Sequence, residues 1–326
     1  MLTAVANEAF RDFVRHVAQA YMPLRRAVHA LATIDVLTSL ARVASRPGYV
    51  RPHIHDQGNS IQLRQCRHPV TEARTNGYIP NDIALGSLKQ TEAPRGMLLT
   101  GSNMGGKSSM MRAIALTVIM AQIGSFVPCQ SAEITCRDAI ASRMGARDDI
   151  LRGESTFLVE ARETAFILRT STPRTLVLLD EFGRGTSTFD GMALAYAVLR
   201  SFLERGPAMP TLLFITHYAP LTRLAHLFPQ QLMNVHMQVQ IMRHQGKEDE
   251  VVFLHRVLPG AASRSFGIHA AALSGIPTTI IERAKSKALE LEEAERLVHY
   301  AHVVKLLGQG DAEAALESIQ SITLEA

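Results

Sequence analysis

The chain has 326 residues, of which 47% are hydrophobic and 20% charged, which is room for one large or two ordinary domains around a sizeable core. That balance excludes a disordered chain, and a formal net charge of +4 suits polyanionic partners while excluding a polycationic binder. The cysteines Cys66, Cys129 and Cys136 lack paired metal-ligand spacing and fit a reducing compartment rather than a disulfide scaffold.

Residues 8–44 have helical periodicity. Phe10, Phe13, Val14, Val17, Ala18 and Tyr21 form one apolar stripe, and Val28, Leu31, Ile34, Leu37 and Leu40 form a second. Pro23 is expected to break or kink the run between them. Glu8, Asp12 and several arginines argue against a signal peptide. Between Tyr49 and Leu88, turn residues such as Pro52, Gly58-Asn59, Pro69 and Asn76-Gly77 punctuate short strands. From Met97 to Thr216 strand and helix alternate. Continuous apolar strands are expected at 97–100, 175–179 and 211–215, a pattern that suits the centre of a parallel sheet covered on both faces. Residues 113–129 are the most apolar run, but Thr117, Gln122, Gly124 and Ser125 make a buried helix a better fit than a membrane span. A hairpin is expected at 233–258 and a long helix from Pro277. After the turn Gly308-Gln309-Gly310, Asp311 could cap a last short helix.

The stretch Gly101-Ser102-Asn103-Met104-Gly105-Gly106-Lys107-Ser108 fits the phosphate-loop pattern G-x-x-x-x-G-K-[ST]. Its glycines let successive N–H groups face one anion, Lys107 adds a charge for the β- and γ-phosphates, and the Ser108 hydroxyl is a magnesium ligand. The strand before it and the helix expected at 109–122 are the setting this chemistry needs, because the helix dipole strengthens the anion site. All three apolar strands end in polar or glycine residues at the carboxyl edge, where open α/β sheets bind ligands. There Asp180 is placed to hold the magnesium shell and Glu181 to act as the base toward attacking water. His217 closes the third strand as a candidate γ-phosphate contact, and Gly183-Arg184-Gly185-Thr186-Ser187-Thr188 forms a tight polar loop beside it. An acidic helix cap and a core histidine are the plainer readings. In Gly153-Glu154-Ser155-Thr156-Phe157, spacing alone leaves two readings open: a helix cap, or a helix N-terminus offered to a phosphate, including one held by another subunit.

Taken together, these stretches resemble the MutS family of DNA mismatch-repair ATPases. Thr100-Gly101-Ser102-Asn103-Met104-Gly105-Gly106-Lys107-Ser108 is similar to the family's TGPNMGGKS loop, with Ser102 departing from the usual proline. Ala121-Gln122-Ile123-Gly124-Ser125-Phe126-Val127-Pro128, Ser155-Thr156-Phe157, Asp180-Glu181-Phe182-Gly183-Arg184, Thr216-His217-Tyr218 and Ser265-Phe266-Gly267-Ile268 also look like family motifs, in order over roughly residues 31–293. Gly106-Lys107-Ser108-Ser109 and Asn234-Val235-His236-Met237 look nearest to the third eukaryotic MutS homologue.

The resemblance implies an α/β fold, a P-loop NTPase of ABC type with a central, mostly parallel sheet. A helical lever stub (1–48) would precede the ATPase domain (49–276), and a C-terminal helix–turn–helix dimerisation region (277–326) would follow it. It implies ATP and magnesium as cofactors, with residues 101–109 (through Ser109), Tyr78 and Ile79 binding nucleotide, Ser108 and Asp180 holding magnesium, and Glu181, His217, Lys107 and Ser155 catalytic. Ser155 would reach the γ-phosphate held by a partner's loop, and Tyr78 would stack on adenine, a core tyrosine being the plainer reading. The implied partners are a second MutS-family subunit, in a heterodimer or homodimer, and double-stranded DNA carrying mismatches or insertion/deletion loops, with no membrane. The implied location is the nucleus, or the cytoplasm if the chain is bacterial. The family's mismatch-reading parts would lie before residue 1, so the chain is expected to hydrolyse ATP without selecting mismatches. The alternative is a non-catalytic dimerisation module or a truncated MutS paralogue not acting in mismatch recognition. A P-loop small-molecule kinase would need an acceptor pocket or lid that the sequence does not offer.

Overall fold

The computed structural model describes residues 2–75, 77–87, 93–145, 156–242, 250–262 and 266–309. Its elements run α1 (Leu2–Ala44), β1 (His53–His55), β2 (Ile61–Cys66), β3 (Asn81–Leu85), β4 (Gly96–Thr100), α2 (Lys107–Gln122), β5 (Ser131–Thr135), β6 (Ile140–Arg143), α3 (Thr156–Thr170), β7 (Leu176–Asp180), α4 (Thr188–Leu203), β8 (Thr211–Ile215), α5 (Leu224–Leu227), β9 (Leu232–Met242), β10 (Glu250–Pro259), α6 (Gly267–Leu273) and α7 (Thr278–Gly308).

The three continuous apolar runs become neighbouring inner strands, β4, β8 and β7, of a six-stranded sheet ordered β10-β9-β4-β8-β7-β6. Every neighbouring pair is parallel except the β9/β10 hairpin. Alternate side chains leave opposite faces, as the strand period demands. Met97, Leu99, Leu176, Leu178, Leu213 and Ile215 join one core with α2, while Leu98, Val177, Leu179, Leu212 and Phe214 join a second core with α4. Burial on both faces explains why these strands carry no polar alternation, and each fully buried large side chain contributes about 1.5–3 kcal/mol. A four-stranded sheet, ordered β1-β5-β2-β3, shares the first core, so α2 lies between the two sheets. Cys66 and Cys129 are free and buried in that core, where the Cys66 sulfur lies 3.6 Å from the Thr117 hydroxyl; Cys136 is half-buried.

Several elements differ from the sequence expectation. The N-terminal stripes form one helix of 43 residues that continues through Pro23, rather than two. A single proline removes one N–H from the ladder, and the many remaining bonds carry the helix across it. None of its residues is buried, and both apolar stripes are exposed as far as Leu37, with Leu40 half-buried. By length and composition alone α1 is also apolar enough to cross a membrane. Residues 113–129 form most of α2, whose inner face is buried as expected, and an exit that is exposed at 122–124. The short strands β5 and β6 and the helix α6 were not foreseen. The long C-terminal helix begins one residue after Pro277, which caps it. The helix expected after Gly310, and with it the second half of the helix–turn–helix, lies outside the described residues.

Candidate functional site

β4 delivers Gly101 to the carboxyl edge of the sheet, Asn103–Gly105 forms one 3-10 turn, and α2 starts at Lys107. Gly106 joins turn to helix at φ 94°, in the left-handed region that glycine adopts without strain, and a Cβ there would lie 3.2 Å from His255 Nδ1. The loop rests on β9: a Cβ on Gly105 would lie 3.0 Å from the Met237 Cβ. The loop is therefore packed from below and open above. Lys107 is only 2% exposed. Its Nζ donates to the Gly101 carbonyl at 2.6 Å, reaches Asn103 Oδ1 at 3.4 Å and lies 3.9 Å from Glu181 Oε1. Burial pushes its pKa down, and the charges of Glu181 and Asp180 pull it partly back.

β7 brings the two acids. Burial raises the pKa of Asp180, against a hydrogen bond from the Ser108 hydroxyl that lowers it. Asp180 Oδ1 is buried and has no partner among the described residues. Glu181 takes φ 56°, a conformation worth about 1–2 kcal/mol of strain in an L-residue, while its N–H bonds the Ile215 carbonyl of β8 at 3.0 Å. Its carboxylate is gripped on both oxygens. Oε1 accepts from His217 Nε2 at 2.6 Å, and Oε2 accepts from Arg184. His217 Nε2 also lies 2.6 Å from Asn103 Oδ1. Both neighbours are acceptors, so Nε2 carries the proton and shares it between them. Burial pushes Glu181 up, but the hydrogen bonds and charges of His217 and Arg184 outweigh it and hold the carboxyl at about 2.

The expected site residues of the loop and sheet edge therefore meet in one place. A cleft of about 520 Å³ opens over them, lined by Asn103, Glu181, Arg184, His217, Tyr218 and the start of α6 at Phe266. The Ser108 hydroxyl beside a buried Asp180 oxygen that has no partner among the described residues fits the hard oxygen donors that magnesium requires. Tyr78 and Ile79 lie half-buried just before β3, where burial raises the Tyr78 pKa and the nearby Ser109 side chain at the start of α2 lowers it. Tyr78 thus sits against the phosphate-loop helix. Ser155 lies outside the described residues; α3 begins immediately after it.

Two residues of the site were missed. In sequence Arg184 reads only as part of a polar loop, although a basic residue three positions after Glu181 is visible. His255 had no signal at all. An irregularity in the β9/β10 pairing between Phe253 and Val257 turns its backbone to φ 53°, and its Nδ1 lies 3.1 Å from the Gly105 carbonyl. Asn81, three residues after Tyr78, fastens the same bulge by donating to the His255 carbonyl at 2.9 Å and accepting from the Val257 N–H at 2.7 Å.

Residues 97–292, more than half of the chain and all of the site just described, match the family model for MutS domain V. The chain belongs to the MutS family. MutS domain V is that family's P-loop ATPase domain, in keeping with the two-sheet α/β fold. Among MutS relatives, the chain is 47% identical over 310 residues to the DNA mismatch repair protein msh3 of Aspergillus niger, a match covering 94% of this chain and 27% of that protein. It is 48% identical over 309 residues to the Aspergillus fumigatus protein of the same name, covering 94% and 27%. With the DNA mismatch repair protein MSH3 of Phaeosphaeria nodorum it shares 45% identity over 322 residues, covering 98% and 28%. The chain spans a little over a quarter of the length of the curated MutS relatives it matches. The motif likeness to the third eukaryotic MutS homologue agrees with these relatives.

Proposed function

We propose that this chain binds ATP with magnesium at the carboxyl edge of its parallel sheet and hydrolyses it, as the ATPase part of a mismatch-repair protein. The observation that carries this reading is the convergence of Lys107, Asn103, Glu181 and His217 around the loop of residues 101–108. Magnesium, when bound by Ser108 and Asp180, would neutralise phosphate charge. Lys107 leaves the Gly101 carbonyl for the β- and γ-phosphates. Glu181 aligns the attacking water. A carboxylate held at about 2 is a poor proton acceptor, so Glu181 gains basicity only as Arg184 or His217 turns toward the phosphates. His217 then presents its Nε2–H to the transferring group. Tyr78 and Ile79 receive the adenine.

The wider reading extends what the family resemblance implies. The chain works with a second MutS-family subunit, whose nucleotide Ser155 completes, and nucleotide exchange at the joint is coupled to mismatched or looped DNA in the nucleus. Residues 1–48 are the end of a helical lever, 49–276 the ATPase domain and 277–326 a dimerisation region. The match to the Phaeosphaeria relative covers 98% of the chain, so α1 is matched along with the ATPase region, which favours a protein-packing helix over a membrane span. The test is phosphate release beside nucleotide binding: Glu181→Ala should bind ATP and retain it uncleaved. Normal turnover by that variant would sink the assignment of the base.

A further inference from the structure

The loop that follows Glu181 is fastened on several sides, by α3, by α4 and by Tyr218. The Gly183 N–H donates to Glu160 Oε1 at 3.3 Å, and the Gly183 carbonyl accepts from the Tyr218 hydroxyl at 3.0 Å. Gly183 has φ 96° and passes so close to Gly191 at the start of α4 that a Cβ would lie 2.5 Å from the Gly191 carbonyl oxygen. One turn of backbone later, a Cβ on Gly185 would lie 3.0 Å from the Phe157 Cβ and 3.2 Å from its N atom. Phe157 and Glu160 lie three positions apart in the first turns of α3, so they present one helix face to this loop. Glu160 is 5% exposed, and its carboxylate lies near Arg143, the last residue of β6, which in turn reaches Glu163 at 3.1 Å.

A buried carboxylate is expensive to desolvate, and the mechanism above does not use this one. We infer that Glu160 is a positioning residue: it locks the Glu181–Arg184 loop of this chain's own site to the first turns of α3, so that loop and helix move as one body. Resting on the reading of Ser155 and Glu181 given above, this makes Glu160 the joint between two half-sites. A shift of Arg184 away from Glu181 moves Gly183 and Gly185, and through Glu160 and Phe157 it moves the first turns of α3, the helix that follows Ser155 in the chain. Tyr218 holds the same peptide from the other side and limits the travel.

The test uses the 326-residue chain mixed with its partner subunit, with ATP as the probe, and compares Glu160→Leu, Glu160→Gln and Tyr218→Phe. Glu160→Leu should leave ATP affinity and KM within about twofold and lower kcat by about 10- to 100-fold, the scale of a displaced catalytic group. Glu160→Gln keeps an acceptor for the Gly183 N–H and should restore most of that loss, whereas a role in charge alone would leave it as impaired as Glu160→Leu. Tyr218→Phe, which is nearly isosteric, should lower kcat severalfold and keeps the test open if Glu160→Leu does not fold. Combining Ser155→Ala with Glu160→Leu should be no worse at the partner's site than Ser155→Ala alone. Amide exchange at Gly183 separates this inference from the reading beneath it. If Gly183 is equally protected in Glu160→Leu, or kcat is unchanged in a folded variant, the joint does not exist. If protection falls as expected but the unsubstituted chain never cleaves ATP, the joint stands and the ATPase assignment fails.

Discussion

Each edge of the six-stranded sheet buries a cation, and the two are treated differently. At the carboxyl edge Lys107 faces Glu181 and Asp180, two carboxylates that attract it. At the amino edge Arg137, 6% exposed, is held by neutral groups: its Nη1 donates to the Thr211 hydroxyl at 2.8 Å and to Asn59 Oδ1, and its backbone N–H donates to Gln122 Oε1 at 2.6 Å. Burial and the like charges of Arg95 and Arg174 push its pKa down to about 10, against the pull of Asp138. Its Nε and Nη2 find no partner among the described residues. Ionic contacts at one edge can be exchanged for phosphates at small net expense, because one anion replaces another. Neutral dipoles at the other edge have no such substitute and pin Asn59, the strand start at Thr211 and the approach to β6 in place.

The comparison breaks most sharply if the two cations are removed in turn. Lys107→Ala should lower ATP affinity on the order of a hundredfold, measured with a fluorescent nucleotide, with little change in melting temperature. Acid should expose the ionic character of the same edge. Glu181 is held at about 2 against an ordinary value of 4.5, so its contribution to stability is complete above about 4.5 and is lost as pH falls toward 2. Denaturation across that window should show up to about 3 kcal/mol of pH-dependent stability that Glu181→Gln abolishes. Arg137→Leu should do the reverse of Lys107→Ala, removing about 1–3 kcal/mol of stability in urea while leaving nucleotide affinity intact, because Asn59 and Thr211 lose a buried donor. The smallest effect belongs to Arg184, whose side chain is 58% exposed. Arg184→Ala should change stability by less than about 1 kcal/mol, while Glu181 titrates nearer its ordinary range by NMR.

Legibility in the sequence followed how local each signal was. The loop of residues 101–108, the acids Asp180-Glu181 and the strands β4, β7 and β8 are contiguous words, and chemistry dictates their order. β5 and β6, with sequences Ser-Ala-Glu-Ile-Thr and Ile-Ala-Ser-Arg, carry too little apolar pattern to announce a strand; neighbouring strands impose it on them. His255 enters the site through a bulge, which no alternation of residue types reveals. Glu160 reads in sequence as one more helical carboxylate, and only the approach of Gly183 gives it a task. The role of Ser155 came from family resemblance, not from spacing.

The position of β4 between β8 and β9 has a consequence for how the chain matures. The phosphate loop leaves β4 near residue 100, yet its floor is Met237 and its side brace His255, and β4 itself pairs with strands that begin at Thr211 and Leu232. Contacts so distant along the chain form late, since a long loop must close before they exist. During synthesis the nucleotide cradle is therefore written early and assembled last. A nascent chain released before the β9/β10 hairpin emerges carries the whole phosphate-binding sequence with no floor to shape it.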